Sequence, residues 1–155
     1  MNATDQIAKR LSDLKFPTEV LARYEESHRF YHTTQHLLDV LENLKKNGGT
    51  SDELFLAAVY HDAIYDPRAN DNEERSAELF LEHAKNSSLN PDQKNKIEQY
   101  IIDTKSHETK DATSQFLINA DLEILSQPFE KLIAESKLVL LLILKSCVNI
   151  ATGWF

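Results

Sequence analysis

Glycine is scarce in this chain. Only Gly48, Gly49 and Gly153 occur in the 155 residues, and the scarcity excludes whole mechanisms. A dinucleotide fingerprint needs three glycines within six positions, and a P-loop needs two around a four-residue gap. Neither can be written with this inventory. Hairpin-rich all-β folds also depend on glycine for turns with positive φ, which argues against a sandwich or barrel. Cysteine is scarcer still: Cys147 stands alone, which excludes an intrachain disulfide and a cysteine-based zinc site. Positive charge is thin. Lys and Arg total 17 against 25 Asp and Glu, a net charge of −8, and no basic run exceeds Lys45-Lys46, so a nucleic-acid polymer is not an expected partner. Met1 to Lys9 is polar and lacks the apolar stretch of a secretory signal. A cytoplasmic, reducing setting follows as the expectation.

What is present is helix punctuation. Ile7, Leu11 and Leu14 are spaced one turn apart after Thr4 as an N-cap, and Phe16-Pro17 ends that helix. Thr18 caps a second short helix through Val20, Leu21 and Tyr24. From Thr33 to Lys46, Leu37, Val40, Leu41 and Leu44 share a face, and Gly48 supplies the stop. Thr50 with Glu53 and Asp71 with Glu74 read as capping boxes for the next two helices. Asn90-Pro91 opens another, carrying Ile97, Ile101 and Ile102. A short apolar segment, Phe116 to Leu125, follows, with a last helix from near Pro128. With no convincing strand pattern, the expected fold is a single all-α bundle of six or seven helices spanning 1–155.

The C-terminal end departs from this amphipathic pattern. From Leu138 to Phe155 only Lys145 is charged. Lys145, Asn149 and Gly153 interrupt the run as a membrane span. A buried core helix or a homodimer interface is the expectation, with no membrane contact.

Histidine and aspartate carry the chemistry. His36, Val40 and Leu44 are in phase, which puts His36 on or beside the core-facing stripe, with His32 one turn earlier. In the next helix Leu54, Ala58, His61, Asp62 and Tyr65 are in phase, so His61 and Asp62 point inward. Asp121 raises the same question within Leu117–Leu122. A single histidine on an apolar face is usually a satisfied core residue, and a single Asp is often a cap. Taken together, inward imidazoles and carboxylates from separate segments are what a metal site needs, because an unpaired buried carboxylate costs several kcal/mol.

These residues resemble a known family. His36, His61-Asp62 and Asp121 reproduce the H…HD…D order of the HD-domain superfamily of metal-dependent phosphohydrolases. Tyr31-His32-Thr33-Thr34-Gln35-His36-Leu37-Leu38-Asp39-Val40 is similar to the YHNxxHxxDV segment of cyclic-nucleotide phosphodiesterases, which share the HD core. Residues 24–40, 57–67, 71–77 and 119–125 resemble a bacterial branch of predicted HD phosphohydrolases, with the likeness clearest over 10–130. After Phe129 it fades. Relatives look longer there, whereas 131–155 reads as a divergent, truncated or frameshifted tail that would expose apolar core and favour dimerisation.

The resemblance implies an HD-type bundle in which His36, His61, Asp62 and Asp121 hold a divalent ion, with Asp62 able to bridge to a second. Mn, Mg, Co, Ni, Fe and Zn are equally compatible. His32 matches the phosphodiesterase histidine that protonates the leaving oxygen, and His107 resembles a superfamily histidine serving a second metal or a phosphate. Family relatives often place a histidine near the start of the helix after the HD pair, and here Asn72-Glu73 stands instead. Glu73, in phase with Ala77, Phe80 and Ala84, faces the site on this reading. Arg29 is a candidate to orient phosphate. Asp66 is a candidate to order a water or orient His32, or else a loop cap before Pro67. The implied activity is hydrolysis of a small phosphorylated substrate, a nucleotide by family analogy, by metal-activated water. Two other readings stand beside it: an HD-type di-iron oxygenase using His83 and His107 as its middle ligands, and a non-catalytic nucleotide-sensing HD module. His28 and His83 otherwise read as structural or exposed.

Overall fold

The computed structural model describes residues 2–123. By its contacts the chain divides into Met1–Asp121 and Leu122–Phe155, and the side chains below belong to the first unit. Among the described residues the fold is all helical, with no strand. Helix α1 is Ala3–Asp13, then a 3₁₀ segment Thr18–Glu25, α2 Thr34–Lys46, α3 Asp52–Tyr60, α4 Asn72–His83, a 3₁₀ turn Ala84–Asn86, α5 Pro91–Ser106 and α6 Ala112–Leu122. The all-α expectation holds. The expected helix from Pro128, the aliphatic tail and the dimer interface lie outside the described residues.

Helix α3 is the axis of the bundle. Every residue from Leu54 to Tyr60 is buried, and the helix packs against the first 3₁₀ segment, α2, α4 and α5. A helix apolar on all sides must be enclosed. Burying one large apolar side chain contributes about 1.5–3 kcal/mol, so α3 is a firm platform for whatever follows it. One end of the core is aromatic. Phe16 stacks on Phe80 at 5.8 Å, and Tyr60 meets both edge-on at 6.0 and 5.5 Å. Phe16 is delivered there by the stop of α1: Lys15 adopts φ 63°, and the Phe16 amide donates to Leu11 O at 2.9 Å.

Several termini differ from the sequence reading. Helix α1 starts at Asn2, not Thr4, through a reciprocal capping box with Asp5. The cap of α3 is Ser51, whose Oγ accepts from the Leu54 amide at 3.2 Å, so Thr50 and Glu53 form no box. Glu53 instead accepts from Gln93 Nε2. Asp71 is the N-cap of α4 but makes no side-chain cap bond, and its φ −125°, ψ 22° is not the extended conformation that such caps use; Glu74 pairs with Lys105 on α5. In both places the glutamate expected in the box has a long-range partner instead. Asn90 caps α5 with Gln93, with Pro91 at the first turn, as expected. Gly48, at φ 85°, turns the chain out of α2. Among the described residues no helix is long and apolar enough to cross a membrane.

Candidate metal centre

The apolar phase of the sequence continues to Tyr65, yet α3 ends at Tyr60 and His61-Asp62 form the turn beyond it. A helix end leaves four carbonyls without helical partners, and here each is accounted for. The Ala57 carbonyl accepts from the His61 amide at 2.9 Å and Tyr60 O from the Ala63 amide at 3.0 Å. Ala58 O accepts from His61 Nδ1 at 2.8 Å, and Val59 O from the buried Tyr24 hydroxyl at 2.9 Å. The following turn is held by Arg29. Its Nη1 donates to Asp62 O at 2.7 Å and to His32 O at 3.1 Å, its Nη2 to Ala63 O at 3.0 Å, and its Nε to Glu26 at 3.1 Å.

Because a carbonyl only accepts, the Ala58 contact fixes the proton of His61 on Nδ1 and leaves the Nε2 lone pair free, as a metal ligand requires. That Nε2 faces Asp62 Oδ2 at 3.1 Å and Asp121 Oδ1 at 3.6 Å. From the first turn of α2, His36 Nε2 faces the same two oxygens at 3.4 and 3.0 Å. Both Nε2 atoms are fully buried, yet neither has a hydrogen-bond partner. The contacts are close, but their angles are wrong for N–H···O bonds. Four donors about 2.0–2.2 Å from a single ion lie about 3.0 Å apart at right angles and about 3.4–3.6 Å apart at wider ones. The observed separations fall in that range, and one donor atom from each of the four residues lies within 4.8 Å of every other. Two imidazoles and two carboxylates suit a divalent ion of intermediate hardness. The group His36, His61, Asp62 and Asp121 can hold a metal ion.

Electrostatics agree with the geometry. Burial works against a charged His61, but the charges of Asp62 and Asp121 outweigh it and hold its pKa well above the ordinary value; the same balance raises His36. Burial likewise opposes ionisation of Asp62 and Asp121, and the surrounding imidazoles hold both well below the usual carboxylate range. Without an ion, protons on the histidines supply the positive charge the site needs.

The remaining candidates separate clearly. His32 Nδ1 donates to Asp62 Oδ2 at 2.7 Å, and its ring lies against Tyr65 with centroids 4.4 Å apart. With its side chain 24% exposed, it stands nearer the surface than His36 or His61, at 4% and 1%. His107 ends α5 in the left-handed conformation, φ 55°. Its Nε2 lies 3.7 Å from Asp121 Oδ2, whereas His36 faces Oδ1, and that contact with burial opposing it raises the His107 pKa. Glu73 is half-buried in the first turn of α4; its charge reaches His107, but it is not one of the four clustered residues.

Arg29 and Asp66 are placed outside the cluster. Arg29 is not placed to orient phosphate, since its side chain is fully buried and its donors are taken by Glu26 and three carbonyls. Of the two readings of Asp66, the structure shows the turn: its Oδ1 accepts from the Arg68 amide at 2.9 Å in an exposed loop. His28 donates to Tyr65 O, and His83 Nδ1 is hydrogen-bonded to the Tyr60 hydroxyl at 2.8 Å beside the aromatic core. His83 is therefore committed elsewhere than the cluster. The sequence reading missed Tyr24, which ties off α3, and Ser76, whose Oγ accepts from the Ile64 amide at 3.0 Å just past the His-Asp pair. Neither leaves a pattern in sequence, because each acts on a carbonyl or amide many residues away. Comparison with family models, curated proteins and solved structures finds no match.

Proposed function

We propose that this protein is a metal-dependent phosphohydrolase of the HD type, acting on a small phosphorylated substrate such as a nucleotide. The observation that carries the reading is the pair of buried, unpartnered Nε2 atoms of His36 and His61 turned toward two carboxylates. When bound, a divalent ion supplies positive charge for phosphoryl oxygens and lowers the pKa of water toward neutrality. The protein's own charge is −8, so an anionic substrate needs that local reversal of field. His36, His61, Asp62 and Asp121 are the holding residues. His32 is the proton donor: Asp62 accepts from Nδ1 and orients the ring, leaving Nε2 to deliver a proton to the departing oxygen. His107, exposed at the edge and facing the second oxygen of Asp121, is the residue for a second ion or for phosphate.

The di-iron reading is less well supported, since His83, one of its two middle ligands, is hydrogen-bonded to Tyr60 and is not among the four clustered residues. The test is metal analysis of the purified full chain, then chelation and reloading with Mn, Mg, Co, Ni, Fe or Zn, followed by a phosphoester panel. One or two equivalents of ion and metal-stimulated phosphate release are expected. His61→Ala and Asp62→Ala should lose metal uptake and hydrolysis while keeping a helical circular dichroism spectrum. Full hydrolysis by the chelated double variant would refute the mechanism, and tight nucleotide binding without turnover would make the protein a sensor.

A further inference from the structure

Asp103, on α5, is a buried carboxylate outside the metal cluster. It is 9% exposed, and Ser114, across from it on α6, is fully buried. Ser114 Oγ donates to Asp103 Oδ2 at 2.6 Å, and Gln99 Nε2, one turn back on α5, donates to Oδ1 at 2.7 Å. The Asp103 carbonyl accepts from the His107 amide at 3.1 Å, so the same residue seats the αL turn that presents His107. Burying an ion pair or a carboxylate is a poor route to stability, because an apolar pair of similar volume does as well or better. A buried carboxylate with directional partners on two helices serves register instead.

Register is what α6 lacks. Its apolar residues Phe116, Leu117, Ile118 and Ala120 wrap around the helix rather than forming one stripe, and Phe116 is 38% exposed. Apolar contact has no direction, so it does not choose the rotation of this helix. Ser114 and Asp121 are seven residues apart, hence on one face and about 10 Å apart along the axis. A slip of α6 by one residue would turn Asp121 by about 100° away from His36 and His61.

We propose that Asp103 and Ser114 form a latch between α5 and α6 that positions Asp121 as a metal ligand. The latch is a positioning device and touches neither ion nor substrate. The inference rests on the metal-centre reading, and the test separates the two. Co²⁺ is titrated into the chelated full-length protein, following affinity, the visible d–d spectrum and thermal stability. Ser114→Ala and Asp103→Ala should each weaken Co²⁺ binding severalfold and shift the spectrum toward that of Asp121→Ala. Asp103→Asn should restore both, since the amide oxygen still accepts from Ser114 and its NH₂ can donate to a flipped Gln99 amide. Leu11→Ala, in α1, which supplies no ligand, should lower stability without changing affinity or spectrum. Wild-type affinity and spectrum in Ser114→Ala and Asp103→Ala, with only stability lowered, would overturn the latch alone. So would an equal loss of affinity in Leu11→Ala. A folded wild-type protein that binds no Co²⁺ would overturn the metal centre and the latch with it.

Discussion

At the scale of single residues, Arg29 shows how much can rest on one buried charge. Its guanidinium ties the carbonyl of His32 to those of Asp62 and Ala63. The 2.7 Å bond between His32 and Asp62 depends on those two segments staying together. Arg29→Met leaves three carbonyls and Glu26 without their donor and is expected to cost about 3 kcal/mol or more. Arg29→Lys keeps the charge, but one ammonium lacks the planar fork that spans both segments, so it should rescue only part of the loss. Denaturant unfolding of both variants checks the order. Equal stability of Arg29→Met and wild type would show that the strap is idle.

At the scale of elements, the informative differences lie at helix ends. Thr50 carries the better sequence pattern for a capping box, but Ser51 makes the bond. The reason is tertiary. The Thr50 carbonyl accepts from Arg10 Nη2 at 3.1 Å, and Arg10 also binds Asp52 at 2.7 Å while lying over the Phe55 ring. This clamp from α1 sets where α3 begins. Ser51→Ala should therefore cost about 1 kcal/mol, typical of a lost N-cap, and Thr50→Ala only a few tenths. Paired urea titrations decide it, and the reverse order would refute the assignment. At the other end, α3 stops at Tyr60 because Tyr24, His61 and Arg29 satisfy the backbone there. The apolar period had placed His61 on the correct side of the chain, since one further residue in the αR conformation keeps helical phase.

At the scale of the whole molecule, the charged cluster couples stability to pH. In the metal-free protein the pKa values of His36 and His61 lie above their ordinary 6.5, and those of Asp62 and Asp121 below their ordinary 3.8. The histidine contribution to stability is complete below about pH 6.5 and is lost as pH rises through the raised folded values. The carboxylate contribution is complete above about pH 3.9 and is lost as pH falls through the lowered folded values. Melting temperatures in chelator should be highest between those limits and fall toward alkaline pH. A bound ion needs neutral imidazoles, so loading with Mn²⁺ should raise the melting temperature most at the alkaline end. A metal-free profile that rises steadily from pH 6 to 9 would contradict the cluster.

How much of this was legible in the sequence follows from the range of the forces involved. Helical period, glycine scarcity and the Asn90-Pro91 start are local, and they determined an all-α fold without phosphate-cradling loops. The same local logic singled out His36, His61, Asp62 and Asp121, because apolar phase marks which side of a helix is buried and a buried carboxylate demands a partner. Phase could not separate Arg29 or Asp66 from such a site, since both are polar residues near it along the chain. Tertiary structure decided their roles, burying one among carbonyls and leaving the other on a turn. It also decided that four side chains from three regions of the chain face one point, that Asp103 and Ser114 meet across two helices, and that Ser51 rather than Thr50 caps α3. Most of those outcomes depend on contacts between residues far apart in the chain, such as Ser114 with Asp103 and His36 with Asp121, which no local pattern encodes.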